Sequence, residues 1–325
     1  MGKSQYEERT GDVRNQSSLM WWILCSFFAP ISIPYICFNI WARFKESQLK
    51  NSLPSKVVLI TGASSGLGEA LAHVFYRAGC KVVLAARREE ELNRVRKELL
   101  EFHSTEPTHP PVILPLDLSD LNSLPKCVEK ILKIHGCIDI LINNGGISVR
   151  ADAGSTAIDV DVKVMLVNYF GAVALTKAVL PSMLKRKSGQ IVFISSVQGK
   201  FAIPYRSAYS ASKHATQAFA DSLRAEVAED GVKVLCVSPG YIKTSLSLNA
   251  LTGSGDKYGV MDKTTESGTS PDKMARNILR AVLREEDDVV FAQTSAKLAY
   301  WLRFLCPPLY FWIMQRRALK LKAAS

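Results

Sequence analysis

Short apolar runs alternate along most of the chain with segments in which apolar residues recur at helical spacing. The helical pattern is clearest at Leu67, Leu71 and Phe75, and Gly79 follows it as a predicted C-cap. Because run and helix alternate six times, we predict a single doubly wound α/β domain over 56–292, a parallel sheet covered on both faces. The runs predicted as buried strands are 56–61, 81–85, 112–116, 138–142, 190–195 and 232–238, with a seventh at 288–292.

An uncharged apolar stretch precedes this domain. Residues 19–38 are long enough for a helix to cross the ~30 Å hydrocarbon layer of a membrane. Trp21 and Trp22 at one end and Trp41 at the other are typical of interfacial anchors. We therefore predict a polar tail (1–18), a single-pass transmembrane anchor (19–41) and a linker (42–55). A cleaved signal peptide and an interfacial or hairpin segment remain alternatives, and the flanking cations do not fix the orientation.

Two later segments depart from the alternation. Residues 241–270 are rich in Gly, Ser and Thr and have little periodicity, which is typical of a functional lid or binding loop. Residues 293–325 are aromatic, are interrupted by Pro307 and Pro308, and end in cations. We interpret 293–325 as a membrane-associated or substrate-entrance segment, with a plain packed C-terminal helix as the alternative.

Composition further narrows the classes of protein to which the chain can belong. The 325 residues are 47% hydrophobic and 22% charged, which excludes global disorder. Seven cysteines without C-x-x-C spacing, and five histidines that do not cluster with them, predict no metal site. The net charge is +11, but the sequence contains no zinc-finger, RRM or basic-zipper pattern, so no nucleic-acid partner is predicted.

A glycine-rich turn links the first predicted strand to the first predicted helix. Gly62, Gly66 and Gly68 allow close backbone approach, and the helix N terminus offers N–H groups to a pyrophosphate. At the end of the second strand stands Ala86-Arg87, where an acidic residue would select NAD. Arg87 can instead pair with a 2′-phosphate, so NADP(H) is favoured as cofactor and NAD(H) stays open.

Tyr209 and Lys213 stand at i and i+4, on one face of a predicted helix. An ammonium held near a phenol favours the phenolate, so we expect Lys213 to lower the pKa of Tyr209 and allow proton exchange with a carbonyl or carbinol oxygen. Ser196 ends a strand, where open α/β sheets bind ligands, and its hydroxyl can bond that oxygen.

These motifs together resemble the short-chain dehydrogenase/reductase family over about residues 55–290. The resemblance is carried, in order and spacing, by 61–68, Asn143-Asn144-Gly145-Gly146, Asn168, Ser196, Tyr209-x-x-x-Lys213 and 239–244. The apolar N-terminal stretch, 200–219 and 238–250 look most like the membrane-anchored member-seven (7B-like) group of that family. Two positions depart from its pattern: Gly145 replaces an alanine, and Ser65 stands where many NADP-preferring relatives carry a basic residue.

The resemblance implies a role for each matching residue. Tyr209 would exchange the proton, Lys213 would tune it, Ser196 would bind the substrate oxygen, and Asn168 would hold a water, which makes these four the catalytic residues. Asp117 and Leu118 would flank the adenine, Asn143 would lie beside the adenosine ribose, and Ile242 and Thr244 would bind the carboxamide. The implied cofactor-binding residues are Gly62, Ser64, Ser65, Gly66, Leu67, Gly68, Arg87, Asp117, Leu118, Asn143, Tyr209, Lys213, Ile242 and Thr244.

The sequence thus predicts a membrane-anchored oxidoreductase that transfers a hydride between NADP(H) and a lipophilic ketone or alcohol. The alternatives are an NAD-linked alcohol dehydrogenase and a catalytically idle cofactor-binding membrane scaffold. Steroids, retinoids and lipid-linked ketones all fit, and the 7B-like resemblance adds ether-lipid precursors as one candidate. By resemblance we also expect a location in the endoplasmic reticulum, with the peroxisome second, and a homodimer formed through the helices predicted at 159–186 and 207–230.

Overall fold

The computed structural model describes residues 52–102 and 109–322, together with Ala29, 32–34, Ile36, Cys37 and Ile40. The chain divides into two compact units, Met1–Lys50 and Asn51–Ser325. The predicted tail (1–18) and most of the predicted anchor (19–41) and linker (42–55) lie outside the described residues. The anchor residues that are described are helical, and Ile33, Ile36 and Ile40 are exposed.

The second unit is a parallel sheet with helices on both faces, as predicted. The strands pair in the order β3-β2-β1-β4-β5-β6-β7, and every pair is parallel. The strands are β1 (Val57–Thr61), β2 (Lys81–Ala86), β3 (Val112–Pro115), β4 (Ile140–Asn143), β5 (Gly189–Ile194), β6 (Val232–Pro239) and β7 (Asp288–Phe291). The helices are α1 (Gly66–Arg77), α2 (Glu89–Phe102), α3 (Leu124–His135), α4 (Ile158–Met165), α5 (Gly171–Arg186), α6 (Ser207–Glu226), α7 (Lys263–Glu266), α8 (Pro271–Leu283), α9 (Thr294–Leu305) and α10 (Pro307–Lys322).

Strand β1 lies at the centre of this arrangement and is buried along its whole length. Its Ile60 is in register with Leu84 of β2 on one side and with Ile142 of β4 on the other. The chain winds outward from β1 to β3 and then returns to β4, so the strand order reverses between β1 and β4. Open α/β sheets bind ligands at this reversal, beyond the carboxyl ends of the strands.

Strand β4 begins two residues later than the sequence predicts. A carboxylate oxygen of Asp139 accepts the backbone N–H of Val57 at 2.8 Å, and the Asp139 N–H donates to the carbonyl of Val57 at 2.9 Å. A side chain therefore replaces the first ladder bond, and regular pairing begins at Ile140.

Helices α4 and α5 form one long helix joined by a π-helical turn, Leu166–Phe170. Among the described residues, this helix (Ile158–Arg186) is the one long and apolar enough to cross a membrane. Its inner face nevertheless packs in the main apolar cluster under the sheet, through Leu175, Val179 and Met183. We therefore assign it to the domain core, which explains its apolar composition without a membrane.

The segment after β6 folds over the carboxyl end of the sheet. Residues 241–270 contain isolated bridges, such as Ile242 with Thr269, and the short helix α7. The chain then forms α8, β7 and a helical hairpin of α9 and α10, which packs with Val197, Phe201 and Ile203 in a separate apolar cluster. The hairpin therefore lies directly beside the segment that follows Ser196.

Candidate active site

A cavity of about 790 Å³ opens along the carboxyl ends of the central strands, where the strand order reverses. Its floor is the glycine-rich turn after β1, and its walls come from the ends of β2, β4, β5 and β6. Helix α6, the 241–249 segment and the hairpin α9–α10 close the remaining sides. All predicted site residues except Asn143 and Asn168 line this cavity.

The glycine turn leaves room for a ligand only because side chains are missing. Gly62 has a φ of 67°, in the left-handed region that favours glycine. A Cβ on Gly68 would lie 2.1 Å from the carbonyl oxygen of Gly62, so α1 can pack this closely on the turn only with glycine there. Helix α1 then begins at Gly66, and its N terminus faces the cavity. This is the geometry that binds a pyrophosphate.

Two arginines stand at the end of β2 beside this turn. Arg87 and Arg88 are exposed and both line the cavity. The Arg88 guanidinium donates to the hydroxyl of Ser64 at 3.2 Å, which holds it over the glycine turn. The sequence predicted no role for Arg88, and the structure adds it to the cavity as a second guanidinium next to Arg87.

Asp117 and Leu118 line the same end of the cavity. Burial alone would raise the pKa of the Asp117 carboxyl, but hydrogen bonds from Ser119 and the nearby charge of Arg87 lower it below its ordinary value. Asp117 is therefore a carboxylate at neutral pH. Its charge faces Arg87, which helps to orient that guanidinium.

Asn143 is the one cofactor-binding prediction whose side chain does not reach the cavity. Its amide donates to the Thr176 hydroxyl of α5 at 2.9 Å, inside the core. The next residue, Asn144, lines the cavity and donates to the Thr61 carbonyl at 2.9 Å. Successive strand residues point to opposite faces, so the neighbour of the predicted residue takes the position at the cavity.

The unusual Gly145 has a packing role. A Cβ on Gly145 would lie 2.6 Å from Cδ1 of Leu118, whose side chain occupies the space that an alanine would fill. The glycine therefore accommodates the Leu118 side chain at the cavity wall.

Ser196, Tyr209 and Lys213 come together at the end of β5. The Ser196 side chain hydrogen-bonds the Tyr209 phenol, and its Oγ accepts the backbone N–H of Gln198 at 3.1 Å. The Lys213 ammonium lies 5.8 Å from the centroid of the Tyr209 ring and donates to the Ile194 carbonyl at 2.8 Å. All three residues are buried and line the cavity.

The electrostatics of this group correct one expectation. Burial raises the pKa of Tyr209 above its ordinary value, although the bond to Ser196 and the charges of Arg150 and Arg206 act in the opposite direction. Burial also lowers the pKa of Lys213 to about 8. The sequence predicted a lowered pKa for Tyr209, but desolvation of the phenolate outweighs the nearby cations in this protein.

Asn168 lies in the π-helical turn and is buried just behind the cavity wall. Its Oδ1 accepts the Ile147 N–H at 2.8 Å, while its Nδ2 donates to the Ile147 carbonyl at 2.9 Å and to Ser212 Oγ at 3.0 Å. A Cβ on Gly146 would lie 3.1 Å from Asn168 Oδ1 and 3.7 Å from Lys213 Nζ, so both side chains meet at this glycine. The π turn thus ties the long helix to α6 and to the loop after β4, as such turns often do at functional sites.

The end of the cavity beyond Tyr209 carries a group of charges that sequence reasoning did not find. Arg150 and Arg206 are nearly buried and donate to the same oxygen of Asp262, at 2.8 and 2.9 Å. From α10, Arg317 donates to the Tyr241 hydroxyl at 3.2 Å. Burial would raise the pKa of Tyr241, but the charges of Arg206 and Arg317 lower it below its ordinary value.

These residues are far apart in the chain, and no local motif connects them. A weak signal existed only for Arg206 and Tyr241, which lie inside segments already singled out as motifs.

Ile242 and Thr244, from the same segment as Tyr241, line the cavity opposite the glycine turn, and a Cβ on Gly66 would lie 3.1 Å from Thr244 Cγ2.

The fold and this constellation define a class. Residues 56–253 match the short chain dehydrogenase family, which covers more than half of the chain, and the chain belongs to that family. It is therefore an oxidoreductase of the kind that interconverts CH–OH and C=O groups with a nicotinamide dinucleotide.

The relatives are similar over nearly the whole chain. A Drosophila melanogaster protein named dehydrogenase/reductase SDR family protein 7-like is 64% identical over 308 residues, covering 95% of this chain and 94% of that protein. Rat dehydrogenase/reductase SDR family member 7B is 45% identical over 319 residues, covering 98% and 96%. A solved short-chain dehydrogenase from Streptomyces avermitilis is 29% identical with a TM-score of 0.66, and the match covers 82% of this chain and 99% of that one. The predicted family and its member-seven group are confirmed.

Proposed function

We propose that this protein is an NADP(H)-dependent, membrane-anchored oxidoreductase acting on a lipophilic ketone or alcohol, with Asn168, Ser196, Tyr209 and Lys213 as its catalytic machinery. The observation that carries the proposal is the meeting of Ser196, Tyr209 and Lys213 in one cavity with the glycine turn. A scaffold that only binds the cofactor would not need a buried phenol, a buried ammonium and a hydroxyl group next to one another in the cavity.

The residues present fit a nicotinamide dinucleotide. Gly62, Gly66 and Gly68 keep the turn free of side chains at the α1 N terminus, where a pyrophosphate would bind. Ile242 and Thr244 face this turn from the opposite wall. When bound there, the dinucleotide supplies the hydride donor or acceptor, and the chain positions the substrate and moves the proton.

The raised pKa of Tyr209 supports reduction as the direction at neutral pH. A protonated phenol can donate its proton to the carbonyl oxygen as charge develops on that atom. The Ser196 hydroxyl, already bonded to the phenol, lies where it can bind the same oxygen. The Lys213 ammonium then stabilises the phenolate that remains, while Asn168 fixes α6 through Ser212.

Preference for NADP(H) rests on Arg87 and Arg88. Both are exposed cavity residues at the end of β2, where no acidic residue stands to accept the ribose 2′-OH. A guanidinium pairs with phosphate through two parallel hydrogen bonds, and Arg88 is already held over the turn by Ser64.

A titration of NADPH and NADH by nicotinamide fluorescence tests this preference. We expect tighter NADPH binding, and a loss of roughly ten- to a hundredfold for NADPH alone in Arg87→Ala. The matched control is Lys97→Ala, an exposed cation further along α2, which should change neither affinity. Equal binding of NADH, indifferent to Arg87, would support the alternative of an NAD-linked alcohol dehydrogenase.

The charges beyond Tyr209 sharpen the substrate class. Arg150 and Arg206 share the single carboxylate of Asp262, so this buried group carries a net positive charge, and Arg317 adds another beside it. Buried charge is costly unless it is paired. We propose that the lipophilic substrate carries an anionic group that binds here.

Two ketones of equal chain length, one neutral and one ending in a phosphate or carboxylate, test this class. We expect the anionic ketone to have the higher kcat/KM, and Arg317→Gln to reduce that advantage by about tenfold or more. The neutral ketone should be turned over equally by both proteins. If the neutral ketone is preferred, the anionic-substrate proposal fails while the catalytic assignment stands.

Membrane attachment through 19–41 and a location in the endoplasmic reticulum, with the peroxisome second, remain part of this proposal and rest on the apolar sequence. A homodimer is proposed through the long helices as well. Ile158 and Val162 on α4, together with Phe170 in the π turn, are exposed large apolar residues along that surface.

A further inference from the structure

The hairpin of α9 and α10 has two apolar faces. One face packs on the domain: Tyr310 is buried, its ring meets Phe201 edge-on at 6.3 Å, and its hydroxyl donates to the Ala202 carbonyl. The opposite face, which we call the outer face, is more than half exposed at every position. It consists of Leu298, Trp301 and Phe304 on α9 and Phe311, Trp312 and Leu319 on α10.

An apolar helix face in a folded domain is normally covered by another element. Here the domain covers only one face, so the outer face leaves a contiguous apolar surface of the kind that marks an interaction site. Four of its six residues are tryptophan or phenylalanine, and the aromatic side chains of membrane proteins are enriched at the bilayer interface.

Charge identifies the occupant. Residues 294–322 contain six cations and no acidic residue: Lys297, Arg303, Arg316, Arg317, Lys320 and Lys322. Arg303 lies 4.9 Å from the centroid of the Phe311 ring and Arg316 lies 5.3 Å from that of Trp312, so cations border the apolar strip. A second copy of this face would bring like charges together, whereas an anionic lipid surface complements both features.

We infer that the outer face docks into the interface of an anionic phospholipid bilayer, as a membrane contact separate from the predicted anchor at 19–41. The inner face of the same hairpin lines the cavity through Ala296, Ala299 and Arg317. Docking therefore sets one wall of the cavity against the bilayer. The part of the inference that concerns substrate entry from the lipid rests on the proposed function, whereas the docking itself does not.

The five tryptophans of the chain allow a direct test on the full-length protein. Three of them, Trp21, Trp22 and Trp41, precede the domain, so W21F/W22F/W41F leaves emission only from Trp301 and Trp312 on the outer face. This variant is placed in mixed phosphatidylcholine and phosphatidylserine vesicles whose acyl chains are brominated. We expect a blue-shifted emission that the brominated lipid largely quenches, and weaker quenching in pure phosphatidylcholine.

Matched variants separate the outer face from general effects. L298Q/F304Q should abolish the quenching, whereas I134Q/V260Q, which changes two exposed apolar residues outside the hairpin and the proposed dimer surface, should not. K297E/K320E should abolish the dependence on phosphatidylserine, whereas the same charge change on α3, K126E/K130E, should preserve it.

Two outcomes would overturn docking. Emission that stays solvent-like in vesicles that retain the protein would show that the outer face remains in water. Tryptophans protected from iodide but not quenched by brominated lipid would show that a second copy covers the face.

Substrate entry has its own readout. L298Q/F304Q should raise KM for a ketone that partitions into the bilayer and leave KM for a water-soluble carbonyl compound unchanged. Equal effects on both would refute entry from the lipid. Quenching does not depend on turnover, so an inactive protein that is quenched would refute the proposed function and leave the docking intact.

Discussion

At one end of the cavity, most contacts come from residues 61–88, which form a strand, a turn, a helix and the next strand in succession. At the other end, four separate segments contribute Arg150, Arg206, the two residues Tyr241 and Asp262, and Arg317, which lies on the C-terminal helix α10. The first end is shaped by backbone, through glycines and a helix N terminus. The second is shaped by long side chains that meet only when the whole domain is folded.

The two ends also differ in how they hold positive charge. Arg87 and Arg88 are exposed, so water solvates them until a ligand arrives. Arg150 and Arg206 are nearly buried and depend on Asp262 for compensation. We call the two ends the nucleotide end and the substrate end, after the ligands proposed for them. Charges at the nucleotide end can therefore be changed with little effect on folding, whereas those at the substrate end also affect stability.

The largest effect on activity is expected from a substitution of Tyr209, which lies between the two ends of the cavity. Tyr209→Phe removes the proton donor and keeps the ring, so kcat should fall by roughly 10²–10⁴-fold. Nucleotide affinity, measured by fluorescence titration of the same variant, should change little because the glycine turn is untouched. A loss of less than about tenfold in kcat would show that Tyr209 is not the acid.

Asp262→Asn tests whether the substrate end is held together by a single carboxylate. It leaves two nearly buried guanidinium groups without their partner, and we expect it to lower the free energy of unfolding by about 3–5 kcal/mol. The measurement is denaturant unfolding. Inorganic phosphate should stabilise this variant more than the wild type.

The control for that variant is Glu91→Gln. Glu91 is one of three carboxylates on Arg94, which keeps Glu69 and Glu98, so the cost should stay below about 1 kcal/mol. If both substitutions lower the free energy of unfolding equally, then the carboxylate of Asp262 is no more important for stability than an exposed one.

Lys213 predicts a pH dependence of stability in the nucleotide-free protein. Its pKa falls from 10.5 to about 8 on folding, so between these pH values the unfolded chain binds a proton that the folded chain does not. The free energy of unfolding should therefore rise with pH across this window, by roughly 3 kcal/mol from this group.

Subtracting the profile of Lys213→Met isolates that contribution. The subtraction is needed because burial raises the pKa of the Cys80 and Cys236 thiols to about 12, which lowers stability as pH rises above their ordinary value of 9. Identical profiles for wild type and variant would mean that Lys213 is not desolvated in the folded protein.

The smallest effect is expected from Gly145→Ala at the nucleotide end. The added Cβ would lie 2.6 Å from Cδ1 of Leu118, the far end of a flexible side chain, and 3.3 and 3.4 Å from Thr61 Oγ1 and the backbone N of Gly62, so rotation of Leu118 should limit the cost to about 1 kcal/mol. Gly68→Ala is the contrasting variant, because its Cβ would meet backbone at Gly62 and cannot be relieved by a side chain. Nucleotide titration and thermal unfolding of both variants would measure the contrast.

The sequence was informative where function depends on local backbone. The strand–turn–helix at Gly62, the helical pairing of Tyr209 with Lys213, and Ser196 at a strand end all follow from spacing along the chain, and the structure places them together. The motif did not show that alternation along β4 turns the Asn143 side chain into the core and places that of Asn144 at the cavity.

The arginine group could not be predicted, since Arg150, Asp262 and Arg317 share no spacing that a sequence pattern could express. The direction of the Tyr209 pKa shift was wrong for a related reason. A nearby ammonium can be inferred from i, i+4 spacing, but the degree of burial that outweighs it depends on elements far away in the chain.

The π turn at Leu166–Phe170 has a consequence for how this chain tolerates insertions and deletions. Hydrogen bonds in a π turn join residues i and i+5 instead of i and i+4, so the turn contains one residue more than the α-helical turn that it replaces. Deleting one residue there would make the helix regular and leave α4 and α5 nearly in phase, but it would remove the wide turn that carries Asn168. Asn168 would then lose Ile147 and Ser212 together. The number of residues in this helix therefore determines where Asn168 lies. We expect single-residue deletions in the π turn to be far more harmful than substitutions at exposed positions of the helix.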